Sequence, residues 1–309
     1  MKLSQSWLYV CAALCAVSFA SSASAEERVD ETVDEAVEKE VGAAASADTA
    51  EFGGFHLKSS LAIRPLPLGL ALRTEGGFKK GLFESASPLL SGTYLDAGIS
   101  TSLSPAAFWA GPYVELLPVA VLNLRVTAQF LSYFGTFGYI YVPEDAEKDW
   151  SLDALSASWD NGLGQSTTGM MVEAQATPQM KVGRVVFQAP TTFGWIKMDV
   201  ADNYYEPIYD LFFAPEDTYW VTRPTLGYLF GRDLAESYVM LGARWEHTSV
   251  TNSGVVRDTV GLLFNWKMPS RYLDWGDPSL SGFGGVHIEH PNRGEISPYV
   301  GIQVGVTMK

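Results

Sequence analysis

Hydrophobic and polar residues alternate along much of the chain, and the clearest case is the segment 122–130. Its even positions are apolar, and its odd positions are polar, namely Asn123, Arg125, Thr127 and Gln129. Successive side chains of an extended chain point to opposite faces, so a period of two separates the apolar side chains from the polar ones. The segment therefore predicts a β-strand with one apolar face.

The same alternation recurs as far as residue 307. Twelve strands are predicted, at approximately 55–63, 67–76, 92–103, 106–116, 120–133, 168–177, 180–198, 217–230, 236–248, 254–267, 281–289 and 296–308. Arg64-Pro65 separates the first two, and we interpret it as a turn because proline is poorly accommodated inside a sheet. If it is a bulge instead, ten strands remain.

The predicted strands have the length needed to cross a lipid bilayer. A tilted strand of about ten residues spans the hydrocarbon layer, and a bilayer accepts strands only in a closed sheet, where every backbone group is paired. Aromatic residues crowd the strand ends, as in the girdles of membrane barrels: Tyr133, Phe134, Phe137, Tyr139, Trp220, Tyr228, Phe230, Trp266 and Tyr272. The pattern predicts an all-β fold, a transmembrane antiparallel up-and-down β-barrel. A secreted β-sandwich would also alternate, but it does not require aromatic strand ends.

The first residues are typical of an export signal. Lys2 precedes an apolar run over residues 7–20, and Ala23-Ser24-Ala25 supplies the small residues of a cleavage site. We therefore predict a signal peptide over 1–25, an acidic flexible periplasmic segment over 26–54 and the barrel over 55–309. The chain holds 35 acidic against 21 basic residues, a net charge of −14, which argues against nucleic acid as a partner.

Over residues 55–309 the chain resembles the outer-membrane β-barrel proteins of diderm bacteria. The resemblance rests on the leader, the alternating strands and the aromatic strand ends. It implies an integral location in the bacterial outer membrane, with outer-membrane lipid, lipopolysaccharide and the barrel-assembly machinery as partners. The chain departs from the usual pattern by ending on Val306-Thr307-Met308-Lys309 instead of an aromatic residue.

An even number of strands places both termini on the periplasmic side. The long segments 134–167 and 199–216 are then extracellular, and the short ones at 117–120, 177–180 and 231–235 are periplasmic turns. Segments 77–91 and 268–280 are longer than expected for periplasmic turns. Aromatic residues of the second long segment could stack on a sugar or belong to the interfacial belt: Tyr204, Tyr205, Tyr209, Phe212 and Phe213.

If the apolar face contacts lipid, the polar face lines the lumen. The predicted lumen-lining residues are Glu115, Arg125, Gln129, Glu173, Arg184, Arg223, Arg244, Glu246 and Arg257. Turn positions predict that Glu173 lies opposite Arg184, Arg223 opposite Arg244, and Glu246 opposite Arg257. A mostly basic patch is then formed by the last two pairs, Arg223, Arg244, Glu246 and Arg257. In an open pore this patch would select solutes. In a narrow barrel the same residues would form ion pairs that fill the interior.

These two interpretations lead to two functional hypotheses. The first is a small porin-like channel for passive passage of small polar solutes, and it depends on the lumenal arginines. The alternative is a closed structural or surface-interaction barrel without transport, and it depends on the predicted ion pairs.

A less favoured third hypothesis is an outer-membrane lipid hydrolase. Twelve strands also suit the outer-membrane phospholipases, whose catalytic His, Ser and Asn lie near the outer rim. The stretch 287–292 lacks the serine two positions after histidine that such enzymes show, and the chain has no Gly-x-Ser-x-Gly motif. We therefore predict no catalytic residue and expect that the protein is not an enzyme.

No metal or cofactor is predicted from the sequence. The four histidines are His56, His247, His287 and His290. A metal site at the last two is disfavoured, because a step of three residues along a strand puts two side chains on opposite faces.

Overall fold

The computed structural model describes residues 53–66, 68–83, 85, 87, 89–90, 92–135, 140, 161, 164–206, 209–234, 236–269, 272–273, 276–291 and 297–308. The predicted signal peptide and nearly all of the predicted acidic segment lie outside these residues. Among the residues described, no helix is long and apolar enough to cross a membrane.

The described residues form sixteen β-strands. They are β1 (Gly53–Leu66), β2 (Leu68–Gly81), β3 (Tyr94–Leu103), β4 (Ala107–Val119), β5 (Leu122–Phe134), β6 (Ser166–Val182), β7 (Val185–Gln188), β8 (Thr191–Met198), β9 (Tyr204–Glu206), β10 (Leu211–Phe213), β11 (Glu216–Thr222), β12 (Thr225–Phe230), β13 (Tyr238–Val250), β14 (Val256–Lys267), β15 (Gly276–Glu289) and β16 (Ser297–Met308).

Fourteen of these strands join into one antiparallel wall that closes on itself. The first and last strands pair, with Ile63 opposite Ile302. Strands β7 and β8 both pair with β6, and β11 and β12 both pair with β13, so each of these couples is one interrupted wall strand. The wall is therefore a closed barrel of twelve strands, which confirms the predicted fold. Pro65 pairs with Leu68, so the chain turns between them and the ten-strand alternative is wrong.

The connections between the wall strands lie at the two ends of the barrel. One end carries both ends of the described chain and the connections 82–93, 120–121, 183–184, 231–237 and 268–275. The other end, which we call the outer rim, carries the long connections 135–165 and 199–215. Two of these connections, 82–93 and 268–275, are shorter than the predicted segments 77–91 and 268–280, because β2 extends to Gly81 and β15 begins at Gly276.

Two predicted turns are misplaced. The turn predicted at Arg64-Pro65 lies slightly later, because β1 continues to Leu66. A reversal was expected at 177–180, but β6 continues through Pro178 to Val182. The chain reverses at Gly183 and Arg184, where Gly183 adopts a φ of 61° that favours glycine.

Apolar side chains point outward all around the wall. Leu262 is 71% exposed and Phe193 is 60% exposed, whereas the polar residues between the outward positions are buried. An apolar belt of this extent is stable in hydrocarbon and costly in water. The β-sandwich alternative is wrong, because a sandwich turns its apolar side chains toward a shared core.

Candidate functional site

The first ion network of the interior is centred on Arg125. Its Nη1 donates to Oε2 of Glu115 at 3.0 Å and its Nη2 donates to Glu75. Glu115 lies directly across from Arg125 in the sheet. It also accepts a hydrogen bond from Nδ2 of Asn123 at 2.9 Å and one from the Tyr94 hydroxyl. Two buried carboxylates are therefore held by one buried guanidinium, whose charge offsets part of their desolvation cost.

The second ion network is centred on Glu246. Nε of Arg223 donates to its Oε2 at 2.7 Å, and Nη2 of Arg257 donates to its Oε1. The predicted register is wrong by two residues on both sides of β13, because Thr225 pairs with Arg244 and Thr259 pairs with Glu246. Arg223 consequently meets Glu246, and Arg257 reaches the same carboxylate diagonally.

Two of the predicted lumenal arginines have different surroundings from those expected. Arg244 is buried, with its guanidinium 5.2 Å from the ring centroid of Phe283. Arg184 is not in the lumen: it lies exposed in the turn after β6, where Nη1 donates to the carbonyl oxygen of Leu229 at 3.3 Å. Its assignment is wrong because β6 is longer than predicted.

Glu173 meets tyrosines instead of an arginine. The hydroxyls of Tyr209 and Tyr219 donate to its Oε1 at 2.8 and 2.9 Å. The Tyr219 ring fits because a Cβ at Gly194 would collide with it. Gln129, the remaining predicted lumenal residue, is buried on the inner face of β5.

Strands β9 and β10 form a hairpin that folds into the barrel from the outer rim, and we call residues 204–213 the inner hairpin. Its described residues are all buried, including the aromatic ones that were expected to form a sugar-stacking or interfacial surface: Tyr204, Tyr205, Tyr209, Phe212 and Phe213. Three of them, Tyr204, Tyr209 and Phe213, pack with wall residues such as Trp109, Leu131 and Ile196 in one apolar cluster. Both earlier interpretations of these aromatic residues are therefore wrong.

Polar contacts also fix the inner hairpin to the wall. The hydroxyl of Tyr133 donates to Oε1 of Glu206 at 2.5 Å, and Nη1 of Arg257 donates to the carbonyl oxygen of Tyr209 at 2.5 Å.

Burial, followed by the negative charge of Glu206, raises the pKa of the Tyr204 hydroxyl well above its ordinary value. That hydroxyl remains protonated at physiological pH.

The interior is therefore filled at two levels. The first ion network lies toward the end opposite the outer rim, and the second lies near the outer rim, where Arg257 contacts the inner hairpin. Among the predicted lumenal residues other than Arg184, Glu246 is 6% exposed and every other one is 5% exposed or less. In a continuous aqueous channel the lining side chains would be accessible to water. This packing favours the closed barrel over the porin-like channel.

A different group of polar residues lies on the lipid-facing surface of β13 and β14, near the outer rim. Nδ1 of His247 lies 3.0 Å from Oδ1 of Asp258, its direct cross-strand neighbour. The same Oδ1 accepts a hydrogen bond from Nε1 of Trp245 at 2.7 Å. Ser249 follows His247 by two positions and therefore shares its face of the strand. We call Ser249, His247 and Asp258 the rim triad.

Two tryptophans flank the rim triad. The ring centroid of His247 is 4.9 Å from that of Trp220 and 5.7 Å from that of Trp245. Trp220 is also the cross-strand neighbour of Ser249 on β11. Both tryptophans are more than two-fifths exposed, so they form an apolar surface on either side of the polar groups.

The rim triad was not found from the sequence, although a signal for it is present. Ser249 stands two positions after His247, which is the spacing of the outer-membrane phospholipases that is absent after His287. The third member, Asp258, becomes recognisable only when the register of β13 and β14 is known.

Comparisons with known proteins place the chain by fold alone. No family model matches it, and no curated protein matches it. Among solved structures it is similar to the β domain of the Bordetella autotransporter BrkA, with 12% identity over 84% of this chain and 99% of that chain and a TM-score of 0.45. It is also similar to the KdgM porin, with 8% identity over 83% and 99% of the two chains and a TM-score of 0.36.

A third similar structure is LpxR from Salmonella typhimurium, with 10% identity over 82% of this chain and 99% of that chain and a TM-score of 0.37.

The closed wall of twelve strands, the apolar outer surface and the polar interior together define an outer-membrane β-barrel protein.

Proposed function

We propose that this protein is a closed outer-membrane barrel that hydrolyses acyl esters of membrane lipids at its lipid-facing outer rim. The observation that carries the proposal is the 3.0 Å contact between His247 and Asp258, with Ser249 on the same face. Serine, histidine and aspartate are the three components of a hydrolytic triad, and their order in the chain differs between folds. This proposal replaces the expectation from sequence that the protein is not an enzyme.

The contact with Asp258 assigns the roles of the two ring nitrogens of His247. A carboxylate can only accept a hydrogen bond, so Nδ1 of the neutral imidazole carries the proton and Nε2 has the lone pair. Nε2 is then the general base, and Asp258 fixes the tautomer and stabilises the imidazolium. Trp245 holds Asp258 in place through its indole N–H.

The reaction proceeds in two halves. Oγ of Ser249 attacks the acyl carbonyl carbon while Nε2 of His247 takes the serine proton. The ester C–O bond breaks, and His247 returns that proton to the leaving alcohol oxygen. Water then attacks the acyl-serine with His247 again acting as base, and the fatty acid and the free serine are released.

The position of the rim triad suits a lipid substrate. His247 lies three residues before the end of β13, and Asp258 is the third residue of β14, so both lie close to the rim. Ester carbonyls of membrane lipids lie at the boundary between headgroups and acyl chains, where Trp220 and Trp245 are typical interfacial residues. The exposed apolar side chains further along the strands then contact the acyl chains.

Purified protein, folded in detergent micelles, tests the proposal through two measurements on the wild-type chain. Fatty acid release is expected from ester-linked phospholipids and not from ether-linked analogues, which have no acyl carbonyl. No channel current is expected in planar bilayers of the ether-linked lipid. If no ester lipid is hydrolysed, the proposed hydrolase activity is refuted. Stable current steps would refute the proposal that the barrel is closed.

A further inference from the structure

We infer that Asp210, His287 and His290 form a binding site for a divalent transition-metal ion that fastens the inner hairpin to the barrel wall. One ligand atom of each residue lies within 4.8 Å of those of the other two, and all three residues are buried. This site is separate from the rim triad, which lies on the opposite face of the wall.

The two histidines come together because only one of them is in a strand. His287 is on the inner face of β15, whereas His290 follows the last strand residue, Glu289. Alternation of faces ends with the strand, so the step of three residues does not put His287 and His290 on opposite faces. The two imidazole rings have centroids 4.8 Å apart.

Asp210 is brought to the histidines by the inner hairpin. It stands between β9 and β10 with a φ of 54°, a left-handed conformation that is uncommon for a residue other than glycine. The hydroxyl of Tyr205 donates to its Oδ1 at 2.5 Å, and its Oδ2 lies 3.4 Å from Nε2 of His290. The hairpin therefore directs one carboxylate oxygen toward the histidine pair.

Contacts around the cluster set the roles of the histidine nitrogens. Nε2 of His290 also lies 3.2 Å from the carbonyl oxygen of Asp210, a contact that a bound ion would replace. Nδ1 of His287 lies 2.9 Å from Oγ1 of Thr259, so Nε2 is the nitrogen that would bind a metal. Ligating histidines characteristically engage a second group through their other ring nitrogen, which sets tautomer and orientation. Donors about 2.0–2.2 Å from a tetrahedral zinc ion lie about 3.4 Å apart, so donors that now lie within 4.8 Å of one another would move together when the ion binds.

The donor chemistry selects the class of metal. Two imidazoles and one carboxylate suit zinc and neighbouring first-row ions, whereas calcium and magnesium prefer oxygen ligands throughout. The ion would join loop residue 210 to the wall at β15, two parts of the chain that are far apart in sequence.

Metal binding can be measured on the intact folded barrel without any lipid substrate, so its outcome is independent of the proposed hydrolase. After removal of metal by a chelator, we expect the wild-type chain to take up about one Zn²⁺. Co²⁺ in its place should give the visible bands of a low-coordinate nitrogen and oxygen site. No uptake of either ion by the folded wild-type chain overturns the inference.

Variants locate the ion. His290→Gln and Asp210→Asn should each weaken Zn²⁺ binding by more than 100-fold, and Thr259→Val by about 10-fold. His56→Gln is the matched control, because His56 is also partly buried against a carboxylate, with Nε2 3.2 Å from Oδ2 of Asp96. It should bind Zn²⁺ as the wild type does. Equal affinity in all of these folded variants would show that the ion binds elsewhere and would contradict the inference.

If the ligand variants fail to fold, the Co²⁺ spectrum of the wild type decides alone. Visible bands of a low-coordinate cobalt site, together with a histidine-nitrogen signature in magnetic resonance, support the site. A spectrum of hexaaquo-like cobalt in the presence of folded protein contradicts it.

Discussion

Replacing Ser249 with alanine is expected to lower the rate of fatty acid release by at least ~10³-fold, because the variant lacks the nucleophile on which both halves of the reaction depend. Asp258→Asn should cost a comparable factor, because an amide in place of the carboxylate no longer holds His247 in the tautomer that leaves Nε2 as base. Initial rates on ester-linked phospholipid in mixed micelles measure both effects.

Ser132→Ala is the matched control for this prediction. Ser132 also lies on the lipid-facing side of a strand near the outer rim, on β5, and it has no histidine across from it in the sheet. Its removal should leave the rate unchanged. If Ser249→Ala keeps more than about a tenth of the wild-type rate while the barrel remains folded, Ser249 is not the nucleophile.

Replacing Arg125 with methionine is expected to lower the free energy of unfolding by about 3–5 kcal/mol. The substitution keeps an unbranched side chain but removes the guanidinium that holds Glu75 and Glu115. Both carboxylates then remain in the interior without their central cation, and an uncompensated buried charge is strongly destabilising. Urea unfolding of the barrel in micelles, followed by tryptophan fluorescence, measures the loss.

Two further variants separate charge from packing in this experiment. Arg232→Met removes an exposed arginine and should change stability by less than about 0.5 kcal/mol. Combining Arg125→Met with Glu75→Gln and Glu115→Gln should recover much of the loss, since the repelling charges are then gone. A loss below about 1 kcal/mol in Arg125→Met alone would mean that the first ion network does not stabilise the barrel.

The fold was predictable because the bilayer imposes a simple rule on every wall strand. Residues such as Val126 and Phe130 must face lipid, and residues such as Arg125 and Gln129 must face inward, so a period of two appears directly in the sequence. Closure follows because a bilayer accepts strands only in a sheet without edges, and the number of alternating segments gives the number of strands. Strand ends were less predictable, because Pro178 reads as a turn but is accommodated within β6.

Pairing of the interior charges depends on turn geometry, which the alternation does not encode. A shift of two residues in register keeps every side chain on its face and leaves the hydrophobic pattern unchanged. The predicted partner of Arg223 was therefore Arg244, although the structure brings it to Glu246. The glutamates and arginines were identified, but their network was not.

The inner hairpin marks the limit of reasoning from a pattern. Its residues are aromatic and belong to a long connection, which is equally typical of an exposed interfacial surface. Its burial depends on wall residues from distant strands, such as Trp109 on β4 and Ile196 on β8. The same is true of Asp210, whose neighbours His287 and His290 lie near the end of the chain.

The most direct test of a catalytic serine on the outer rim uses an alkyl fluorophosphonate, which phosphonylates an activated serine with loss of fluoride. The folded wild-type barrel is treated with the reagent and digested, and the modified residue is located by mass spectrometry. A catalytic role of Ser249 predicts a phosphonyl group on this residue, and no modification of it when His247 is replaced by alanine. An unmodified Ser249 in the folded wild-type protein, or equal modification without His247, would contradict it.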